Sequence, residues 1–224
     1  MIVIIPARGG SKRIPKKNIS LLLGKPLIEY TLDAVLAADL DCPIFVSTED
    51  DSVIEVVSKF QDIEIIKRPH SLASDDSSTE SVLVHALEHS NSDSHEWVMT
   101  LPPTSPFRRS ETINQFVQFI LQQPDSQDCL MSTTANYGDF WQSKEDGSIT
   151  RLFPDAPRRQ QERSPLLEEN SAIYLTRIAA LKETSSILGN RVRNINISAI
   201  EGFDINTPED LNIAENIAAS LFNL

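Results

Sequence analysis

The amino-acid sequence predicts an α/β fold, with a mostly parallel sheet flanked by helices. Short apolar runs alternate with amphipathic stretches at helical spacing, and the connections between them are brief. This alternation is typical of right-handed βαβ units and a parallel sheet. The first run, Ile2 to Ile5, is apolar and mostly β-branched, which indicates a strand buried on both faces.

The remaining elements follow in chain order. Helical periodicity predicts helices with buried stripes that begin near Leu27, Val53, Ser78, Ser110 and Pro208, with N-caps at Ser110 and Thr207. Short apolar runs predict further strands at 42–47, 63–66, 97–101, 130–133, 149–153, 172–175 and 192–197. Between Asp128 and about Tyr174 polar and proline-containing segments interrupt the α/β rhythm, so we expect a small β-rich excursion at about 128–175 within one domain spanning 1–224.

Length, composition and charge limit the classes of function. The 224 residues carry a net charge of −12 and are 40% hydrophobic, which is ordinary for a globular protein. This acidity disfavours nucleic-acid binding, which needs an extended basic face. The N-terminal apolar run is broken by Pro6 and Arg8, so we expect no signal peptide, no membrane association and a cytoplasmic location. Cys42 and Cys129 are expected to be free thiols, and the spacing offers no zinc-type cluster.

A concentration of positive charge follows the first strand. Gly9 and Gly10 come first, and the chain has no acidic residue before Glu29, although it has six basic ones, at Arg8, Lys12, Arg13, Lys16, Lys17 and Lys25. Backbone N–H groups and fixed cations at the carboxyl end of a strand suit a polyphosphate. The alternative is a solvated basic loop. The spacing matches neither the P-loop nor the dinucleotide fingerprint.

The stretch IPARGGSKRIPKKNI resembles the opening signature of the acylneuraminate cytidylyltransferases, which make CMP-activated sialic acids and related nine-carbon sugars from CTP. The resemblance extends over nearly the whole chain and implies a Rossmann-like fold of the nucleotide-diphospho-sugar transferase type. It implies that Lys17 approaches the triphosphate and Asn18 the cytidine side, with Arg8 and Lys17 among the catalytic residues. The nucleotide-binding residues implied in this loop are Arg8, Gly9, Gly10, Ser11, Lys12, Lys17 and Asn18.

A second resemblance lies in the segment RPHSLASDDSST, residues 68–79. In the family this loop closes over the nucleotide, which implies binding roles for Arg68, Ser74, Asp75 and Thr79. From the residues alone, a Ser/Asp-rich loop before a helix is equally explained as turn and cap chemistry.

Three further stretches resemble the family's sugar-binding regions. They are PTSPFR at 103–108, RRQQ at 158–161 and EENSAIY at 168–174, and the implied contacts are Thr104, Ser105, Arg159, Gln160, Asn170 and Tyr174. An arginine pairs bidentately with a carboxylate, as an acidic sugar would require. A rigid turn and a solvated basic strip are the alternatives. The chain departs from the family at Pro102, where a glutamine is common, at Ser171, where glycine is usual, and at Glu168.

The stretch DINTPEDL at 204–211 resembles the family's metal motif and implies that Asp204 and Asn206 hold Mg²⁺ or Mn²⁺, with Asp204 also catalytic. Alternation along an extended segment puts both side chains on one side. The alternative is that Asp204 only belongs to the approach to a capped helix. Asn206 replaces a second carboxylate, so whether one or two ions bind stays open.

Together these features predict transfer of CMP from CTP to the anomeric hydroxyl of a nine-carbon sugar acid, N-acetylneuraminate or legionaminate, with release of pyrophosphate. The resemblance also implies a homodimer in which the excursion forms the contact and part of the sugar pocket. Pseudaminate or 3-deoxy-manno-octulosonate are alternative substrates. A non-catalytic nucleotide-binding protein is the alternative outside the enzyme class. No side chain stands out as the general base.

Overall fold

A computed structural model describes residues 1–90, 94–123, 125 and 127–221. The strands in this part of the chain are β1 (Ile2–Pro6), β2 (Leu21–Leu22), β3 (Lys25–Pro26), β4 (Ile44–Thr48), β5 (Glu64–Lys67), β6 (Trp97–Thr100), β7 (Cys129–Asn136), β8 (Trp141–Ser143), β9 (Ile149–Arg151), β10 (Leu166–Arg177) and β11 (Val192–Asn196). The α-helices are α1 (Leu27–Ala37), α2 (Asp51–Val57), α3 (Thr79–Glu88), α4 (Ser110–Gln122), α5 (Ile178–Thr184) and α6 (Pro208–Leu221).

Seven strands form the central sheet, in the order β11-β7-β10-β6-β1-β4-β5. Every pairing is parallel except those of β10, which runs antiparallel to both of its neighbours. The predicted fold class is therefore confirmed. The order reverses at β1, because β4 lies on one side of it and β6 on the other, and ligands of open α/β sheets bind outside the carboxyl ends at such a point.

The first strand is buried on both faces, as its sequence predicts. Val3 and Ile5 belong to one apolar cluster, which includes residues of α1 and α4. Ile2 and Ile4 belong to a second cluster with residues of α3 and α5. All four side chains are 0% exposed, and full burial of each contributes roughly 1.5–3 kcal/mol. This packing fixes the position at which β1 ends.

The excursion is narrower than 128–175, because β7 and β10 both lie in the central sheet. Between them, β8 and β9 form a separate two-stranded antiparallel sheet. The register of β10 on β7 shifts between Glu169 and Tyr174. Ser171 lies there with φ of 59°, a backbone conformation that favours glycine. This conformation explains why the resemblance leads us to expect glycine at this position. The first half of β10 is polar, so the sequence does not predict it as a strand.

Smaller predictions meet different outcomes. Ser110 is the first residue of α4 and Arg109 occupies the N-cap position, so Ser110 is wrong as a cap. Thr207 is confirmed as a cap, since its Oγ1 accepts the Asp210 N–H at 3.2 Å. Helix α5 was not predicted. Both cysteines are free, Cys42 just before β4 and Cys129 at the start of β7, and burial raises the thiol pKa of each, that of Cys129 to about 12.

Within the described residues, every helix is too short or too polar to cross a membrane.

Candidate active site

A crevice of about 310 Å³ lies at the carboxyl ends of β1, β5 and β6. It is the point at which the strand order reverses. Most of the predicted nucleotide-binding residues border it, on the segments that follow β1 and β5. Its walls include Arg8, Gly10, Ser11, Lys17, Asn18, Arg68, Ser74, Asp75, Thr79, Pro102 and Thr104. A second depression of about 310 Å³ shares Arg8, Ser11, Lys17 and Asp75 with it and adds Lys12, Arg13 and Asn206. The two form one crevice with a basic end.

The two glycines of the basic loop differ in their surroundings. The Gly9 N–H donates to Oε1 of Glu49 at 2.7 Å, so this donor faces the protein. A Cβ at Gly9 would lie 2.1 Å from Oδ2 of Asp50, which explains why no larger residue stands there. Gly10 is exposed and lies in open space at the wall of the crevice. Gly9 therefore shapes the loop, and the backbone that a ligand can approach begins at Gly10.

Asn18 and Lys17 close the basic loop. The Asn18 side chain is buried and its Nδ2 donates to the backbone carbonyl of Arg8 at 2.8 Å, which fixes the loop's two ends together. Lys17 Nζ donates to the backbone carbonyl of Ile205 at 3.0 Å and to Oδ1 of Asn206 at 3.3 Å. Burial lowers the pKa of the Lys17 amino group, while the nearby Asp204 carboxylate partly opposes this effect. Lys17 thus joins the basic loop to the predicted metal motif.

Arg8 and Lys12 reach across the crevice to Asp75. Arg8 Nη1 lies 3.1 Å from Oδ1 of Asp75, and Lys12 Nζ lies 2.7 Å from its Oδ2. The hydrogen bond from Lys12 is the main cause that lowers the pKa of Asp75. Arg8 also donates to the backbone carbonyl of Ser74 at 3.2 Å. The loop after β5 therefore closes onto the basic loop, and a carboxylate meets the two cations.

Arg68 forms the opposite wall and is 4% exposed. Its Nε donates to Oε2 of Glu49 at 2.9 Å, whereas its Nη2 is buried and has no partner in the described structure. Burial lowers the pKa of this guanidinium, and its hydrogen bond to the Glu49 carboxylate partly opposes this effect. Leu72, Val82 and Pro102 also line the crevice. The crevice thus combines apolar side chains with a guanidinium nitrogen that has no partner in the described residues.

The predicted metal motif lies at the basic end. Asn206 Nδ2 donates to Oδ2 of Asp204 at 2.5 Å, and Ile205 between them is fully buried, so the predicted alternation is confirmed. The Ile205 N–H donates to the backbone carbonyl of Thr104 at 2.9 Å. Oδ1 of Asp204 is buried and has no hydrogen-bond partner in the described residues.

The motif offers few but suitable oxygen donors for Mg²⁺. The described residues contain no group of three His, Cys, Asp or Glu side chains that could hold a metal ion. One carboxylate with an unused oxygen and one amide oxygen are nonetheless hard oxygen donors, and Mg²⁺ commonly takes one or two carboxylates together with substrate phosphates and water. The residues present therefore fit an ion that a polyphosphate would help to hold.

Arg108 belongs to the PTSPFR stretch, and the sequence predicted no specific contact for it. It is 3% exposed and donates to the backbone carbonyls of Ala172 and Pro102, each at 2.8 Å, and to Oγ1 of Thr31 at 3.2 Å. Burial lowers its pKa to about 9, against the attraction of Asp204 and Glu201. It ties the loop after β6 to β10 and α1, so Pro102 and Thr104 are held firmly at the crevice.

The predicted sugar-binding residues do not all meet at this crevice. Thr104 lines it, whereas Ser105 is fully buried beside it. Asn170 uses its amide to bond Ser132 Oγ at 2.6 Å and Thr134 Oγ1 at 2.9 Å, and Tyr174 packs in the cluster beneath α3 and α5 with its hydroxyl on Glu169. The positions of Asn170 and Tyr174 therefore indicate structural roles.

Arg159 and Gln160 lie on an exposed 3₁₀ turn at 160–162 and its N-cap, and they do not line the crevice of their own chain. Arg159 Nη1 approaches Oε1 of Glu162 at 3.4 Å, with 80% of the Arg159 side chain exposed.

Glu49 contacts the loops after β1 and β5, and the sequence analysis did not predict a role for it at the crevice. The sequence shows only an acid shortly after a predicted strand, which does not identify its two partners.

Comparison with known proteins agrees with this geometry. The family model described as Cytidylyltransferase matches residues 2–219. The CMP-N,N'-diacetyllegionaminic acid synthase of Legionella pneumophila is 30% identical over 97% of this chain and 95% of its own. The N-acylneuraminate cytidylyltransferase of Escherichia coli O18:K1:H7 is 29% identical over 97% of this chain, which spans 52% of that protein. The pseudaminic acid cytidylyltransferase of Campylobacter jejuni is 35% identical over 54% of this chain.

Solved structures share the fold. A CMP-2-keto-3-deoxy-manno-octonic acid synthetase in complex with CTP superposes with a TM-score of 0.73 at 18% identity, over 98% of both chains. The 4-diphosphocytidyl-2C-methyl-D-erythritol synthase of Anaerococcus prevotii gives a TM-score of 0.69 at 14% identity, over 97% of this chain and 95% of that one. From the matched family model and the full-length relative, together with the crevice described above, we conclude that this chain belongs to the cytidylyltransferase family.

Proposed function

We propose that the protein transfers CMP from CTP to the anomeric hydroxyl of a nine-carbon sugar acid, either legionaminate or N-acetylneuraminate, and releases pyrophosphate. The observation that carries the proposal is the crevice lined by Arg8, Lys17 and Asn206, with the Asp204 carboxylate close enough to Lys17 to oppose partly the lowering of its amino-group pKa by burial. Cations and an anionic metal ligand at one end of a crevice suit a nucleoside triphosphate. The names of the full-length relative and of the E. coli enzyme support the choice of sugar acid.

The crevice suits both ends of CTP. Lys12, Arg13 and Lys17 border the basic end, where they would hold the phosphates. Arg68 offers a buried guanidinium donor that has no partner in the described residues, and apolar side chains also line the crevice. The carbonyl oxygen O2 and the ring nitrogen N3 of cytosine are both acceptors, whereas N3 of uracil carries a proton. An arginine donor at this point therefore favours cytosine.

The reaction exchanges one P–O bond for another and releases one proton. The oxygen of the sugar's anomeric hydroxyl bonds to the α-phosphorus, the bond from that phosphorus to the pyrophosphate oxygen breaks, and the hydroxyl proton passes to water or to the departing pyrophosphate. Asp204, together with Asn206, would hold Mg²⁺ or Mn²⁺, which supplies charge stabilisation to the phosphates when bound. Lys17 is held by Ile205 and Asn206 in a fixed position, so it can stabilise negative charge that moves onto the departing pyrophosphate without reorganisation.

We also propose a homodimer that completes the sugar pocket. Arg159 and Gln160 lie away from the crevice of their own chain, so a sugar contact by them needs a second copy. The segment that carries them exposes large apolar side chains, which mark protein–protein contacts when they are contiguous. These are Tyr137, Trp141, Ile149, Leu152, Phe153, Leu166 and Leu167. A cytoplasmic location stays part of this proposal.

The experiment is a pyrophosphate-release assay with CTP, Mg²⁺ and a panel of purified legionaminate, N-acetylneuraminate, pseudaminate and 3-deoxy-manno-octulosonate. We expect release with legionaminate or N-acetylneuraminate above the other acids, and none when the sugar acid or the metal is left out. Equal release with ATP or UTP in place of CTP contradicts the proposal. CTP binding without turnover on any acid would favour a non-catalytic nucleotide-binding protein.

A further inference from the structure

We infer that Glu49 is a positioning residue for the nucleotide: it sets the orientation of Arg68 and anchors the glycine loop, and it acts on CTP only through them. The inference rests on the proposed function. Glu49 follows directly after β4, next to the strand from which the basic loop begins. It does not itself line the described crevice.

The geometry places one carboxylate between two walls of the crevice. Oε1 of Glu49 accepts the Gly9 N–H at 2.7 Å, and Oε2 accepts Nε of Arg68 at 2.9 Å. The side chains of Glu49 and Arg68 are 7% and 3% exposed. Each oxygen of the carboxylate therefore fixes a different loop, the one after β1 and the one after β5.

The consequence for Arg68 follows from which of its nitrogens is used. Arg68 lines the crevice, Glu49 accepts from its Nε, and its Nη2 is buried without a partner in the described residues. A guanidinium is planar and rigid, so fixing Nε also fixes the direction of the Nη2 donor. A buried arginine that loses its carboxylate partner is strongly destabilised. Arg68 would then move toward water and away from the ligand.

The neighbouring acids separate this role from general charge effects. Asp50 caps α2, since its Oδ1 accepts the Ser52 and Val53 N–H groups at 2.8 and 3.1 Å. Asp51 is 89% exposed and pairs with Lys67 on the surface. Of the three consecutive acids, Glu49 is the one bonded to groups of the crevice, so Asp51→Asn is a matched control that removes the same charge two residues away.

Glu49→Gln tests the shared carboxylate. Glutamine offers one amide oxygen to two donors, the Gly9 N–H and the Nε–H of Arg68, so one of these donors must face its NH₂ group. Because a hydrogen bond to a charged group contributes roughly 1.5–3 kcal/mol, we expect the Kd for CTP to rise about tenfold or more. The kcat at saturating CTP should fall much less, since Glu49 touches neither the phosphates nor the metal motif.

The test is calorimetric titration of the full-length protein with CTP, on Glu49→Gln, Arg68→Met, the double variant and Asp51→Asn. If Glu49 acts through Arg68, Glu49→Gln weakens binding in the wild-type background but changes Kd less than twofold in the Arg68→Met background. Asp51→Asn should leave Kd unchanged. The double variant carries no unpaired buried charge, so its Tm should be higher than that of Arg68→Met. It therefore keeps the comparison of Kd values measurable if a single variant folds poorly.

Two results overturn the inference and differ from failure of the proposed function. Effects of Glu49→Gln and Arg68→Met that add fully in the double variant would show that Glu49 does not act through Arg68. A Glu49→Gln protein that melts lower but binds CTP normally would reduce Glu49 to a structural role. Wild-type protein that does not bind CTP at all would instead refute the proposed function, and this inference with it.

Discussion

Replacement of Lys17 by alanine tests the link between the basic loop and the metal motif. Lys17 Nζ bonds the Ile205 carbonyl at 3.0 Å and Asn206 Oδ1 at 3.3 Å, so its charge is already placed at the crevice before a ligand arrives. Loss of one such preorganised donor lowers kcat by a factor of about 10²–10³. We therefore expect Lys17→Ala to lower kcat/KM for CTP by about 10²–10³.

The stability of Lys17→Ala should change little, because two effects oppose each other. Burial lowers the pKa of Lys17, so its positive charge is unfavourable in the folded protein. Its two hydrogen bonds are favourable and each contributes roughly 0.5–1.5 kcal/mol. The net change should thus stay near 1 kcal/mol, which corresponds to a Tm shift of about 2–4 °C for a chain of this size.

The pH dependence has a defined sign. The lowered pKa of Lys17 means that the free protein loses this charge at a lower pH than an ordinary lysine, whose pKa is 10.5. CTP binding that needs the charged amine is fully present below the folded-state pKa and is lost as the pH rises through it. The charged form disfavours folding, so this contribution to the free energy of unfolding improves as the pH rises from the folded-state pKa towards 10.5.

Steady-state kinetics, thermal unfolding and a pH profile on one preparation check these statements. Lys16→Ala is the matched control, because Lys16 is exposed and its Nζ donates to Ser52 Oγ, away from the crevice. The control should keep kcat/KM within about threefold, since surface charges contribute little. A folded Lys17→Ala protein that turns over at a near-normal rate and loses CTP binding at the same high pH as the wild type would show that Lys17 does not act on the triphosphate.

Four other substitutions test the metal motif, the sugar pocket, the glycine loop and the core. Asp204→Asn should lower kcat/KM at least about 10²-fold and raise the Mg²⁺ concentration needed for half-maximal rate, because a carboxylate ligand is lost. An unchanged Mg²⁺ requirement would exclude Asp204 as a ligand. Arg159→Ala should raise KM for the sugar acid and not for CTP, and sedimentation should give a dimer; a monomer with an unaltered sugar KM contradicts the shared pocket. Gly9→Ala should lower Tm by about 2–4 °C, because the new Cβ would displace Asp50 from the cap of α2. Gly10→Ala should leave Tm unchanged, because the space around Gly10 is open. Phe116→Ala should lower the free energy of unfolding by about 3–5 kcal/mol in a denaturant titration, since the ring is fully buried in the cluster beneath α1 and α4.

Local sequence signals predicted the parts of the fold that depend on local chemistry. The apolar run at Ile2–Ile5 and the capping pattern at Thr207 lie where their periodicity and cap chemistry place them. Strand β10 was predicted only at 172–175, because its first half is polar and a register shift separates it from the apolar half. Periodicity reports burial, and a strand half exposed at its start carries little of that signal.

The candidate site shows the same division. The basic loop was evident from charge that has no compensating acid nearby in the sequence, and the structure places Arg8, Lys17 and Asn18 at one crevice. The role of Glu49 could not be predicted, because its two partners, Gly9 and Arg68, are 40 and 19 residues away and meet it only through the pairing of strands. Tyr174 matches the family pattern but packs in the cluster beneath α3 and α5, because a pattern match does not tell which face of a strand a side chain occupies.

The most direct test of the account is ³¹P NMR of the complete reaction, with CTP, Mg²⁺ and legionaminate or N-acetylneuraminate. We expect the CTP signals to be replaced by equal amounts of pyrophosphate and one phosphodiester, the CMP-sugar, and we expect Lys17→Ala to slow the formation of both. Appearance of orthophosphate and CDP, or of pyrophosphate and free CMP without the phosphodiester, would mean that water and not the sugar acid attacks in this crevice, and the proposed transfer to a sugar acid would be wrong.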